Sequence, residues 1–171
     1  MGQSVNIGLT RIVLAIALIA SLSGCASKFR SYEGPEVTRV IVLKTERRLY
    51  LLHHSQVLTS YEIDLGFDSA GDKNFEGDGR TPEGSYIIDR RNPNSAFHLS
   101  LGISYPNRAD REFASSMGLH PGGDIFIHGS SRRGRNGAGP DWTAGCISVS
   151  NAEIEEIYAM VRDGTPIHIY P

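Results

Sequence analysis

From Val37 onward the chain alternates short apolar runs with polar breaks, the pattern of a β-rich domain. Val37–Lys44 and Arg48–His53 are rich in Val, Ile, Leu and Tyr, and Gln56–Leu65 continues the pattern. The breaks Thr45-Glu46-Arg47 and His54-Ser55 are short enough for hairpin turns. Gly84–Arg91, Phe97–Ile103, Asp124–His128, Cys146–Val149 and Ile167–Tyr170 read as further strands. Two segments depart from this pattern. Asn107–Met117 is polar and free of breakers, which predicts a short helix ending at Gly118. Ser150-Asn151-Ala152-Glu153 has the form of a capping box. It precedes Ile154, Ile157, Tyr158 and Val161, an i, i+3, i+4, i+7 stripe, so a second helix is predicted with Gly164 as its stop. The expected fold class is mainly β with one or two short helices.

Residues 66–84 form a long glycine-rich loop, more often functional than idle in a compact domain. At the N-terminus the picture changes. Residues 12–22 are an uncharged apolar run preceded by Arg11. That is too short for a membrane-spanning helix, which needs about 20 residues, and has the form of a secretory signal. The run closes on Leu22-Ser23-Gly24-Cys25, which resembles the lipobox of bacterial lipoproteins. The resemblance implies that residues 1–24 are removed and that Cys25 is acylated as the mature N-terminus. Ala26 after it favours the periplasmic face of the outer membrane over the inner one. Residues 25–36 then read as a tether and 37–171 as one domain.

The composition narrows the class. The chain has 171 residues, 40% of them hydrophobic, which fits one globular domain and excludes disorder. A net charge of -2 gives no footprint for nucleic acid. With Cys25 lipidated, Cys146 stands alone in an oxidising compartment, where it is either buried and inert or a reactive thiol. No His, Cys and carboxylate cluster has metal-ligand spacing, and no cofactor is implied.

Two segments carry candidate chemistry, Ile127-His128-Gly129 and Thr143-Ala144-Gly145-Cys146. A thiol attacks as thiolate and needs a base or a positive neighbour, which His128 supplies if the two short strands pair. Asp124, Phe126 and His128 share one strand face, and Cys146 and Ser148 share another. Gly145 lets the backbone approach a substrate, and the Cys146 N–H is a candidate oxyanion donor. By composition alone a small buried Cys and a structural His are the commoner outcome. The approach through Gly139-Pro140-Asp141-Trp142-Thr143-Ala144-Gly145 is unlike that of a core strand.

With Thr81-Pro82-Glu83-Gly84, the run Pro121-Gly122-Gly123-Asp124-Ile125-Phe126-Ile127-His128-Gly129 and the Thr143–Cys146 motif in order, the chain resembles the YkuD-type L,D-transpeptidase catalytic domain of bacterial cell-wall enzymes. The similarity spans roughly residues 38–171 and implies a YkuD-like β-sandwich or barrel. It also implies Cys146 as nucleophile, His128 as base, the Gly129 carbonyl as its orienting group, and Gly145 and Cys146 amides as oxyanion hole. Many members have His and Arg where this chain has Ala144 and Ser148, which bears on how an acyl donor is held.

The implied partners are peptidoglycan stem peptides, cleaved through a thioester on the L-centre of diaminopimelate, and a membrane through the lipid. An amine acceptor makes the enzyme a transpeptidase. Water makes it a carboxypeptidase or a hydrolase releasing a wall-attached protein. Arg132, Arg133 and Arg135 suit substrate carboxylates or simply solvate their loop. Tyr105 lines the cleft or sits in a turn, Trp142 is a lid or a core aromatic, and Thr143 flanks the nucleophile. A sortase lacks its arginine here, since Arg162 falls inside the helical stretch. A papain-like enzyme has Cys before His, the reverse of this order, and a non-catalytic wall-binding module has no need of both His128 and Cys146. Cys25→Ser is expected to leave a soluble or unprocessed form on cell fractionation; a processed variant found wholly in membranes would contradict the lipid assignment.

Overall fold

The structure, a computed structural model, describes residues 27–130 and 139–171. Within them the strands are β1 (Arg39–Leu43), β2 (Arg48–His53), β3 (Gln56–Glu62), β4 (Gly84–Asn92), β5 (Ser100–Ile103), β6 (Phe126–His128), β7 (Ile147–Ser148) and β8 (Pro166–Tyr170). Helix α1 (Arg108–Ser116) separates β5 from β6, and α2 (Asn151–Met160) separates β7 from β8. The mainly β fold with two short helices matches the pattern of the sequence.

All eight strands join one sheet in the order β3-β2-β1-β8-β4-β5-β6-β7. Its two ends meet. The chain leaving β3 runs beside β7, where Asp64 and Ser148 exchange backbone hydrogen bonds of 2.9 and 2.8 Å. Just beyond, Thr143 donates to Leu65 O at 3.1 Å and Phe67 donates to Thr143 O at 2.8 Å. The sheet thus curls toward closure, which covers edges that would otherwise expose unpaired backbone groups. Alternate residues face inward, as a pleated strand requires. Val40 and Val42 of β1, Leu49 and Leu51 of β2, and Ile167 and Ile169 of β8 meet Leu101, Ile127 and Ile147 in one core. From α2, Ile154 and Ile157 join them.

Both helices open with complete capping boxes, Asn107 with Asp110 and Ser150 with Glu153. Two boundaries differ from expectation. The strand anticipated over Phe97–Ile103 begins only at Ser100, because Asn92 and Ser95 side chains cap Asn94 N and Phe97 N and hold a loop there. The second helix stops at Met160, short of Gly164. Val161 turns to extended backbone and enters the core, and the Arg91 guanidinium takes the open carbonyls of Tyr158 and Val161.

The long loop after β3 is sewn to β1 by one buried cation. Lys44 Nζ donates to Gly71 O, to Thr81 O at 3.0 Å and to Glu83 Oε1 at 2.8 Å, so it fastens the Thr81–Gly84 turn. Removing one partner from such a pair strands the others without water. Lys44→Met is expected to destabilise the domain by about 3 kcal/mol, read as a lower urea midpoint at unchanged slope. An unshifted midpoint would mean that the loop is held by other contacts.

Candidate active site

Strands β6 and β7 pair in parallel, with Ile127 opposite Ile147 and His128 opposite Ser148. Parallel neighbours need a crossover, and the chain from Gly129 to Cys146 provides it. The pairing brings the His-Gly and Gly-Cys segments together. His128, Cys146, Asp124 and Phe126 line one cavity of about 310 Å³, together with Ser95, Ala96 and Phe97 among others. Ser148 does not line it. It is fully buried beside Asp64.

His128 is buried, and its Nδ1 lies 2.6 Å from Gly129 O. A carbonyl only accepts, so Nδ1 carries the proton and Nε2 keeps its lone pair. The imidazole lies 4.4 Å from the Phe97 ring, tilted 31°, and 5.8 Å from Trp142 edge-on. Position 129 admits no side chain: a Cβ there would fall 2.5 Å from Asn151 Oδ1 and 2.8 Å from Phe97 O. The turn that orients the histidine is therefore packed directly on the start of α2.

Cys146 is half-buried, with Sγ 3.5 Å from Asp124 O. Burial raises its thiol above the ordinary value, and the Asp124 carboxylate adds to this. The Phe126 N–H and Lys73 oppose them without reversing the direction. Burial likewise lowers His128 below its ordinary value, against the pull of the Gly129 hydrogen bond. Both directions favour a thiol and a neutral imidazole in this cavity over a thiolate–imidazolium ion pair. Of the two parts open to His128, positive neighbour or base, these directions fit the base.

Gly145 has φ +134°, and a Cβ there would come within 2.6 Å of Arg80 O, so glycine is required on both counts. Its N–H donates to Thr143 Oγ1 at 3.1 Å, while Thr143 Oγ1 donates to Cys146 O at 2.7 Å. Gly145 is thus not a free oxyanion donor, contrary to expectation. Thr143 is buried and shapes the turn before the nucleophile instead of meeting a ligand. Tyr105 is also displaced from the cleft: it is buried in the core and donates to Pro121 O at 2.8 Å, bracing the run into β6. Trp142 packs edge-on against the imidazole and is not among the residues that line this cavity. Arg132, Arg133, Arg135 and Cys25 lie outside the described residues.

A second cleft of about 590 Å³ opens on the other side of Cys146, lined by Lys73, Glu76, His120, Asp124 and the exposed Ala144 among others. His120 lies close in sequence to the suspected cleft, but no local pattern places Phe97 or Glu76 near the thiol. Phe97 sat inside a presumed strand, and Glu76 and His120 meet only across two loops, with Glu76 N donating to His120 O at 2.8 Å.

A curled β domain with a buried, carbonyl-oriented imidazole and a half-buried thiol in one cleft is the class defined by this geometry. Residues 37–169 match the YkuD L,D-transpeptidase catalytic domain, and the chain belongs to that family. Escherichia coli (strain K12) YafK, whose name assigns it provisionally as an L,D-transpeptidase, is 29% identical, covering 76% of this chain and 52% of YafK. The helical cell shape determining protein Pgp2 of Campylobacter jejuni (K307A mutant) is similar in structure, with a TM-score of 0.60 at 26% identity over 87% of this chain and 52% of Pgp2. L,D-transpeptidase 1 of Mycobacterium tuberculosis shares the fold at 14% identity and a TM-score of 0.51, over 80% of this chain and 62% of its own. The chain spans about half the length of YafK and Pgp2.

The resting charge state gives a pH dependence. A thiol raised above 9.0 beside a histidine lowered below 6.5 is expected to alkylate with a neutral electrophile at a rate that climbs past pH 9.0. A plateau already reached in mildly acidic solution would reveal an ion pair and contradict the assignment.

Proposed function

We propose that the protein is a cysteine-dependent peptidoglycan L,D-transpeptidase. The observation that carries this reading is the shared cavity of Cys146 and His128, with Nδ1 committed to Gly129 O. That leaves Nε2 as the base facing the cleft. Membership in the L,D-transpeptidase family supplies the substrate class.

In this mechanism the Cys146 proton passes to His128 Nε2 as Sγ bonds to the carbonyl carbon on the L-centre of a diaminopimelate residue. The carbonyl oxygen gathers the negative charge. Because Thr143 holds the Gly145 N–H, the Cys146 N–H is the candidate donor to that oxyanion. The tetrahedral adduct collapses by breaking the carbon–nitrogen bond, and the imidazolium returns its proton to the departing amine. A thioester remains. An amine of a second stem peptide then attacks it, restoring the thiol and making a crosslink. Burial suits this role: a histidine held neutral accepts a proton across the whole neutral range, and it becomes charged only while the adduct exists. Lipid attachment at Cys25 would hold the domain at the periplasmic face of the outer membrane, where this polymer lies.

Water in place of the amine turns the same thioester into a hydrolysed product, and the acceptor decides which reaction is seen. Incubation with tetrapeptide-bearing muropeptides, and separately with wall fragments carrying attached protein, is expected to yield a thioester on Cys146 by mass spectrometry. Cys146→Ala should form none, and His128→Ala should form it about 10²–10⁴ times more slowly. Crosslinked products support transpeptidation, and cleaved ones support the hydrolase. A wild-type protein that neither substrate acylates would refute the enzyme and favour a wall-binding module.

A further inference from the structure

The segment between the expected lipid site and β1 has no regular secondary structure, yet it is fastened to the body. Lys28 Nζ donates to Pro93 O at 2.6 Å and to His98 O at 3.1 Å, across 65 and 70 residues of sequence. Arg30 pairs with Glu155 at 3.0 Å and with Glu156 at 2.7 Å on α2. Glu155 also takes His98 Nε2 at 2.8 Å, and Phe29 packs 6.3 Å from the Tyr158 ring. Lys28 meets the loop from Asn92 to His98 directly, and Arg30 reaches it through Glu155 and His98, while Phe29 and Glu156 tie the same segment to α2.

That loop is the wall of the smaller cavity, and its Phe97 ring lies 4.4 Å from His128. Its own bonds are local: Asn94 N to Asn92 Oδ1 and Phe97 N to Ser95 Oγ. His98 sits at φ +75°, an uncommon conformation for a residue with a side chain, which surrounding contacts must hold. The Lys28 ammonium spans the two ends of the loop and acts as a clasp.

We propose that residues 28–30 are a strap rather than a free spacer, and that Lys28 and Arg30 are positioning residues that act through the 92–98 loop to hold Phe97 against the His128 imidazole. Single exposed ion pairs contribute little. Here several contacts share one short loop, and only the fraction of time that Phe97 stays seated has to change. The proposal rests on His128 being the base.

The test uses the full chain in detergent and the rate at which iodoacetamide labels Cys146 near neutral pH, with the label located by mass spectrometry. Lys28→Met with Arg30→Met is expected to slow labelling about threefold to tenfold. Lys28→Arg with Arg30→Lys should restore it, and thermal midpoints should stay close to wild type. In a His128→Ala background the same Met pair should have no further effect, because a wall that positions an imidazole matters only when the imidazole is there. Unchanged labelling in the Met pair, or equal slowing with and without His128, would overturn the strap while leaving the base intact. If His128→Ala alone does not slow labelling, the base assignment falls and the strap falls with it.

Discussion

Two strands of three and two residues hold the His128 and Cys146 segments side by side through only two registered pairs. So short a parallel ladder depends on its surroundings. On one flank β5 pairs with all three residues of β6, and on the other Asp64 pairs with Ser148 and closes the sheet. Two close backbone approaches lock the ends: Gly129 against Asn151 at the start of α2, and Gly145 against Arg80 O. Everything the cleft can do follows from this pinned pair. The histidine is aimed by the next residue's carbonyl, and the cysteine is presented by a turn that Thr143 ties from within.

Burial does more than shelter these groups. It keeps the thiol protonated and the imidazole neutral, so charge separation waits for a substrate to share it. Asp124 favours the protonated thiol in two ways. Its carbonyl accepts from the thiol, while its exposed carboxylate, paired with Arg90 at 3.2 Å, works against a thiolate. The clefts on either side of Cys146 differ in character as well. One is walled by Phe97 and Phe126, and the other carries Lys73, Glu76 and His120. Cys146 lines both, at the boundary of an apolar and a charged cleft.

Much of this was legible in the sequence. Strand β2 falls where the apolar pattern placed it, and the start of α2 was written in its capping residues, Ser150 with Glu153, while the Asn107–Asp110 box of α1 emerged only in the structure. His128 and Cys146 stood out because three motifs, each weak alone, follow one another in order along the chain, and a strand pairing was enough to join two of them. What stayed hidden depends on contacts between residues far apart. Nothing local says that Arg91 ends α2 at Met160, or that Phe97 leaves its run to face the imidazole. The Gly145 amide looked free because an internal bond to Thr143 Oγ1 has no sequence signature. Tyr105 looked like a cleft residue for a similar reason, since its hydroxyl is spent on Pro121 O, sixteen positions away.

The central claim is that His128 sits beside Cys146 as a neutral base protonated on Nδ1. Nitrogen-15 NMR of the histidine rings reads this directly. The account predicts that at neutral pH one buried imidazole carries its proton on Nδ1, titrates below 6.5, and shifts when Cys146 is capped by a small neutral alkyl group. A proton on Nε2, a ring still charged at neutral pH, or a spectrum indifferent to the capping of Cys146 would contradict it.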